Sequence, residues 1–165
     1  MKIGIISDTH DDVENTKKAV EIFKEKRVNF VIHLGDYISP PIVRLFKGLK
    51  LTGIFGNNDG YKYILMKVFD EIDGEIKGDF GVIEIEGMKI ALYHGEFKEI
   101  SEALAQSGNY ELLLTGHWHK SEEKKIGKTL WISLGSANRF FAENSTPIIG
   151  IFDTENRKFK FVKVR

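Results

Sequence analysis

The sequence predicts an α/β fold in which two sheets pack face to face with helices outside, and three observations carry this. Short isoleucine- and valine-rich runs alternate with helical patterns over residues 1–72. The later part is rich in strand-like runs and opens with a hairpin signal at Glu86-Gly87. The length of 165 residues suits one domain, spanning 1–165, with a substantial core.

The elements follow in order. "KIGIIS" at 2–7 is an apolar run with the look of a buried strand. "ENTKKAVEIFKEKR" at 14–27 spaces its apolar residues helically, with Asp11 and Asp12 ahead as caps. "VNFVIHLG" (28–35) is a second strand. "PPIVRLFKGL" (40–49) opens with the prolines that suit a helix start. "KLTGIFG" (50–56) is a third strand and "YKYILMKVFDEI" (61–72) a helix. This order is that of a parallel sheet covered by helices. "FGVIEIEGMKIALYHG" (80–95) then reads as the hairpin, and "EFKEISEALAQSG" (96–108) as a helix stopped by Gly108. The runs at 110–116, 121–127, 129–135, 147–153 and 158–164 are strand-like, which predicts a mixed or antiparallel second sheet.

Composition narrows the function. Lys plus Arg equals Asp plus Glu at 24 each, so there is no broad basic field for tracking a long nucleic acid. There is no cysteine, which excludes disulfides, thiolate metal sites and cysteine nucleophiles. No apolar stretch approaches the ~20 residues of a membrane span, and no signal peptide is read at the start. The expected compartment is the cytoplasm, and the oligomeric state, a homo-oligomer included, is left open.

The chemistry lies where the apolar runs stop. "LLLTGHWHK" (112–120) ends a strand at two histidines. In extended backbone i and i+2 point the same way, so His117 and His119 are expected to face one spot with Trp118 turned away. The other runs end at Asp8 and His10, at Asp36, at Asn57, Asn58 and Asp59, and at His94. Sites in parallel α/β sheets gather at the carboxyl ends of strands, so these groups can converge. His33 lies inside its strand and reads as a core or supporting histidine. Each piece has a plainer reading as a cap or turn, but the common position disfavours coincidence. Asparagine among the ligands fits a hard or borderline divalent ion better than zinc alone.

"DTH" at 8–10, "GD" at 35–36, "GNND" at 56–59, "HG" at 94–95 and "GHWH" at 116–119 together resemble the five blocks of the calcineurin-like metallophosphoesterases. The resemblance is strongest to small archaeal and bacterial phosphodiesterases related to a retromer subunit. It implies a four-layer α/β/β/α sandwich and two divalent ions per chain, manganese first, with nickel, magnesium or zinc as alternatives. By motif, Asp8, His10 and His119 would hold one ion, Asn57, His94 and His117 the other, and Asp36 would bridge them. The implied activity is phosphodiester hydrolysis by a hydroxide between the ions, on a small diester substrate. Asn58, Asp59 and Arg139 are the candidate catalytic residues. Asn58 stands where the family usually has a histidine, and an amide cannot supply a catalytic proton. Ser136 and Arg139, in and after "SLGS" at 133–136, read as phosphate contacts, or Arg139 as an ordinary surface cation. Two other readings are a phosphomonoesterase on the same metals and a metal-bound interaction scaffold.

Overall fold

The structure, a computed structural model, describes residues 1–165. Its first part runs β1 (Lys2–Ile6), α1 (Val13–Glu25), β2 (Phe30–His33), α2 (Pro40–Arg44), β3 (Leu51–Gly53), α3 (Lys62–Glu71) and β4 (Glu75–Ile76). Then come β5 (Phe80–Ile85), β6 (Met88–Tyr93), α4 (Lys98–Gln106), β7 (Leu112–Thr115), β8 (Glu122–Ile126) and β9 (Thr129–Ser133). The chain ends with β10 (Ile148–Asp153) and β11 (Lys158–Lys163). No helix is long and apolar enough to cross a membrane.

Two mixed sheets result. One has the order β11-β10-β1-β2-β3-β4 and the other β5-β6-β7-β9-β8. Strands β1 to β4 are parallel neighbours, as the alternating pattern predicts. The last two strands depart from expectation. β10 returns to the first sheet and pairs antiparallel with β1, and β11 extends that edge. An apolar strand can serve either sheet, and its local pattern does not name a partner.

Alternation along the strands builds the layers. Ile3 and Ile5 of β1 face inward with Ile32, Ile54, Ile90, Leu92, Leu112, Leu114 and Ile132, a core between the sheets. Ile6 faces the other way, into a second core with Phe23 of α1, Val43 of α2 and Val68 and Phe69 of α3. Behind the second sheet, Ala105 of α4 packs on Ala91, Leu113 and Trp131. The architecture is the four-layer α/β/β/α sandwich.

Local chemistry sets the element ends. Asp12 caps α1, its carboxylate accepting the Asn15 N–H at 3.1 Å. Helix α2 is shorter than the predicted 40–49 and stops at Arg44, continuing as turns to Gly48. The hairpin turn has positive φ at both Glu86 (50°) and Gly87 (76°), the geometry that follows strand twist. The outer strand β8 is exposed and carries Glu122, Glu123, Lys124 and Lys125, charges that discourage pairing with another chain.

Candidate metal centre

Strands β1, β2, β3, β6 and β7 all deliver a polar loop to one end of the sandwich. The loops come very close. A Cβ on Gly116 would lie 2.0 Å from Ser7 Oγ and 2.6 Å from Asp8 Oδ2, so only glycine lets the β7 loop cross the end of β1. Five candidate ligands hold left-handed backbone: Asp8 (φ 54°), His10 (39°), Asp36 (58°), His117 (65°) and His119 (54°). That conformation costs roughly 1–2 kcal/mol per residue, and such strain concentrates at functional sites.

The backbone turns aim the side chains at one another. Asp8 Oδ1 lies 3.2 Å from His119 Nε2 and 3.7 Å from His10 Nε2. Asp36 Oδ2 sits 3.4 Å from both His10 Nε2 and His94 Nε2. Asp8, His10 and His119 form one group able to hold a cation, and Asp8, Asp36 and His94 a second. On the far side of the second group, His117 Nδ1 lies 2.9 Å from Asn57 Oδ1. An amide oxygen only accepts, so Nδ1 carries the proton in this contact.

Supporting bonds leave chosen atoms bare. Ser7 Oγ and the His117 N–H both donate to Asp8 Oδ2. His94 donates from Nδ1 to the Leu34 carbonyl at 2.7 Å, which fixes its tautomer and frees Nε2. Asp8 Oδ1, His10 Nε2 and His94 Nε2 are buried without any hydrogen-bond partner. Buried polar atoms are normally satisfied, so three bare ones facing each other mark a place for a cation. The electrostatics agree. Burial works to raise the Asp8 pKa, yet His10, His119 and His94 hold its carboxyl well below the usual range. Burial likewise presses His94 toward neutrality, but Asp36 and Asp8 carry its pKa up to about 9. The carboxylates draw a proton into a space short of positive charge.

Residues 1–157 match the calcineurin-like phosphoesterase superfamily domain. The chain belongs to this superfamily. It is 36% identical over 163 residues to a phosphodiesterase of Methanocaldococcus jannaschii, covering 97% of each chain. A solved structure described as a novel archaeal phosphodiesterase superposes with a TM-score of 0.91 at 34% identity over 99% of both chains. Vps29 of Entamoeba histolytica, solved with zinc, matches over the full length of both chains with a TM-score of 0.71 at 18% identity, a likeness of fold. The phosphodiesterase branch and the retromer subunit named by the motifs are thus both among its similar proteins. The chain is a hydrolase of this superfamily.

In this phosphoesterase the strand-end residues Asp8, His10, Asp36, Asn57, His94, His117 and His119 stand together around the centre. His117 and His119 reach it differently from the extended geometry expected of them. Both sit in left-handed turns, so His119 faces Asp8 and His117 faces Asn57.

The candidate catalytic residues Asp59 and Asn58 hold the Asp36 loop, and Arg139 lies at the surface, one of its two expected placements. Asp59 is buried, and its carboxylate accepts four backbone N–H groups, from Asp36, Tyr37, Gly56 (each 2.8 Å) and Ile38 (3.0 Å). Both oxygens are occupied by these N–H groups, so the carboxylate organises the Asp36 loop. Asn58 donates its N–H to Asp36 Oδ1 at 2.9 Å and its side-chain amide to Asp36 Oδ2 at 2.8 Å, so it positions that carboxylate. Arg139 is an exposed cation, 3.7 Å from Glu14 and stacked over Phe140. Ser136 contacts the Asp8 carbonyl at 2.8 Å.

Residues that a motif reading passes over do much of the holding. Asn138 donates to the Thr9 and His10 carbonyls, both at 3.2 Å, and ties the 136–140 loop onto the Asp8–His10 turn. His33 accepts the Gly35 N–H at Nδ1 and so carries its proton on Nε2, facing Thr9 Oγ1 at 3.2 Å. Burial at the end of β2 pushes its pKa down to about 3, keeping it neutral, in the supporting role the sequence suggests. The one sequence signal for Asn138 is its place just after the "SLGS" loop at 133–136.

Proposed function

We propose that this phosphoesterase hydrolyses phosphodiesters at a centre holding two divalent ions. Asp8, His10 and His119 would hold one, Asn57, His94 and His117 the other, with Asp36 shared. The observation that carries the reading is the trio of bare buried atoms, Asp8 Oδ1, His10 Nε2 and His94 Nε2, with Asp36 Oδ2 at 3.4 Å from both histidines. The 36% identity to a phosphodiesterase supports the diester class. The donor set of carboxylate and amide oxygens with four imidazoles suits a borderline ion such as manganese, with nickel, magnesium or zinc as alternatives.

When bound, the two ions would supply positive charge for the phosphate ester and lower the pKa of water beside it. The chain does the rest. Asp8 and Asp36 bring two negative charges and the amide and neutral imidazoles none, so the loaded centre stays cationic and attracts an anionic ester. Ser7 and the His117 N–H fix Asp8, and Asn58 fixes Asp36, so the donors are preorganised. The Asn58 amide is not an acid, and its N–H is committed to Asp36. The chain therefore offers the leaving group no acid at this position.

The test is equilibrium dialysis with metal analysis, combined with hydrolysis of bis(4-nitrophenyl) phosphate before and after chelation. Two ions per chain and activity that chelation removes and manganese restores are expected. Diester turnover undiminished in metal-free protein would overturn the reading.

A further inference from the structure

Both tryptophans of the chain line one groove beside the centre. The groove, about 290 Å³, lies on the outer side of the second sheet. Trp118 forms its wall on the metal side, 51% exposed, its ring 5.3 Å from that of His117 at a near-perpendicular 86°. Trp131 lies beneath, 8% exposed, with its indole N–H already donated to Thr115 Oγ1 at 3.0 Å. Three lysines surround them. Lys124 sits 5.5 Å from the Trp131 ring and pairs with Glu122, and Lys98 pairs with Glu102. Lys120, next but one to Trp118, is exposed and makes no ion pair, and Ser133 Oγ holds its carbonyl at 3.1 Å.

One exposed tryptophan is ordinary in itself; what sets Trp118 apart is that its ring packs against the candidate ligand His117 and walls a groove. On the other ligand group Phe141, 49% exposed, packs its ring 4.7 Å from His10 and 5.3 Å from His119. Aromatic faces thus flank the centre on two sides, and on the Trp118 side cations follow. An open ring face beside an unpaired ammonium is what a nucleobase followed by a phosphate requires. A protein surface would need a wider apolar area than this small, lysine-lined groove. The equal counts of acidic and basic residues, 24 each, fit a short ligand better than a long strand.

The geometry points to a nucleotide subsite: the substrate is a short nucleotide diester whose base stacks on Trp118 while its next phosphate meets Lys120. This inference rests on the diester reading of the centre and adds the substrate class to it. It makes Trp118 and Lys120 specificity residues and leaves the bond-breaking step to the centre already described.

Two measurements test it separately. The first compares thymidine 5′-(4-nitrophenyl phosphate) with methyl 4-nitrophenyl phosphate, which share a leaving group and differ in the nucleoside. The manganese-loaded native protein should prefer the nucleoside ester about tenfold in kcat/KM, the size of one stacked base. Trp118→Ala should abolish that ratio and Trp118→Phe should keep most of it. The second is tryptophan fluorescence, which reports from this groove alone because both tryptophans line it. 5′-Phosphorylated thymidylyl-thymidine, which carries the second phosphate, should quench it saturably, with chelator or with magnesium present, and more weakly in Lys120→Ala, whereas dimethyl phosphate should not quench it. Equal kcat/KM for the two esters, or a preference untouched by Trp118→Ala, overturns the subsite. So does absence of quenching in both conditions. If neither ester is hydrolysed in loaded protein, the diester reading fails, and the titration still decides whether nucleotides bind here.

Discussion

Asp59→Asn is a nearly isosteric change that separates a positioning residue from a reacting one. Asp59 Oδ2 accepts the N–H groups of Asp36 and Gly56, and Oδ1 those of Tyr37 and Ile38. Turning either oxygen into NH₂ sets a donor against two donors, whichever way the amide lies. Each buried N–H left without an acceptor costs ~1–3 kcal/mol, so the variant should lose about 2–6 kcal/mol of stability. For a chain of this size, 1 kcal/mol moves the unfolding midpoint by about 2–4 °C, and a mid-range loss should lower it by about 8–16 °C. Thermal unfolding in chelator measures this without any contribution from bound metal. The same N–H groups hold the loop of Asp36 and of Ile38, whose φ of 75° is strained for a β-branched residue. Loosening that loop should weaken manganese binding about 10–100-fold by calorimetry, as loss of a supporting bond does elsewhere. A midpoint within about 1 °C of native, with unchanged manganese affinity, would refute the argument that this carboxylate organises the loop.

Three further outcomes follow from the same geometry. Asp36→Asn should weaken binding of both ions, because its Oδ2 faces His10 and His94 equally at 3.4 Å, whereas His119→Ala should weaken one; stepwise calorimetric titration reads the difference. Asn58→His should shift a leaving-group series: alkyl diesters should gain up to ~10²-fold relative to nitrophenyl diesters, at the cost of weaker metal binding through loss of the amide bond to Asp36. A flat series in both proteins would show that protonation of the leaving group already comes from elsewhere. Gly116→Ala should break the centre more than the fold, since its Cβ would meet Ser7 Oγ at 2.0 Å and Asp8 Oδ2 at 2.6 Å; metal affinity should fall by at least tenfold while circular dichroism stays native-like.

What the sequence discloses is the place of a donor along the chain, and what it conceals is the direction of its lone pairs. Apolar runs that stop at Asp8, Asp36, Asn57, His94 and His117 are visible because burial demands a continuous pattern and the site demands its end. The two packed sheets are visible for the same reason, whereas the division of the apolar run at 2–7 between two cores, Ile3 and Ile5 against Ile6, is settled only in the fold. The two-residue strand β4 is invisible because two residues have no period. β10 is visible as a strand but not as a neighbour of β1, since that pairing is a contact over nearly the whole chain. Asp36 and Asp59 carry the same carboxylate within one loop cluster, and no local pattern says which will turn outward. The decision is made by four N–H groups that converge on Asp59 once the backbone at Asp36 and Ile38 has turned left-handed. His117 and His119 make the point most sharply. Read as extended, they would grip one ion between them. In the fold each sits in its own left-handed turn, forced where Gly116 lets the loop pass Ser7, and the pair divides between Asn57 on one side and Asp8 on the other. A single two-residue step thus serves two groups of donors, which a strand could not do, and the backbone strain is the physical means of that division.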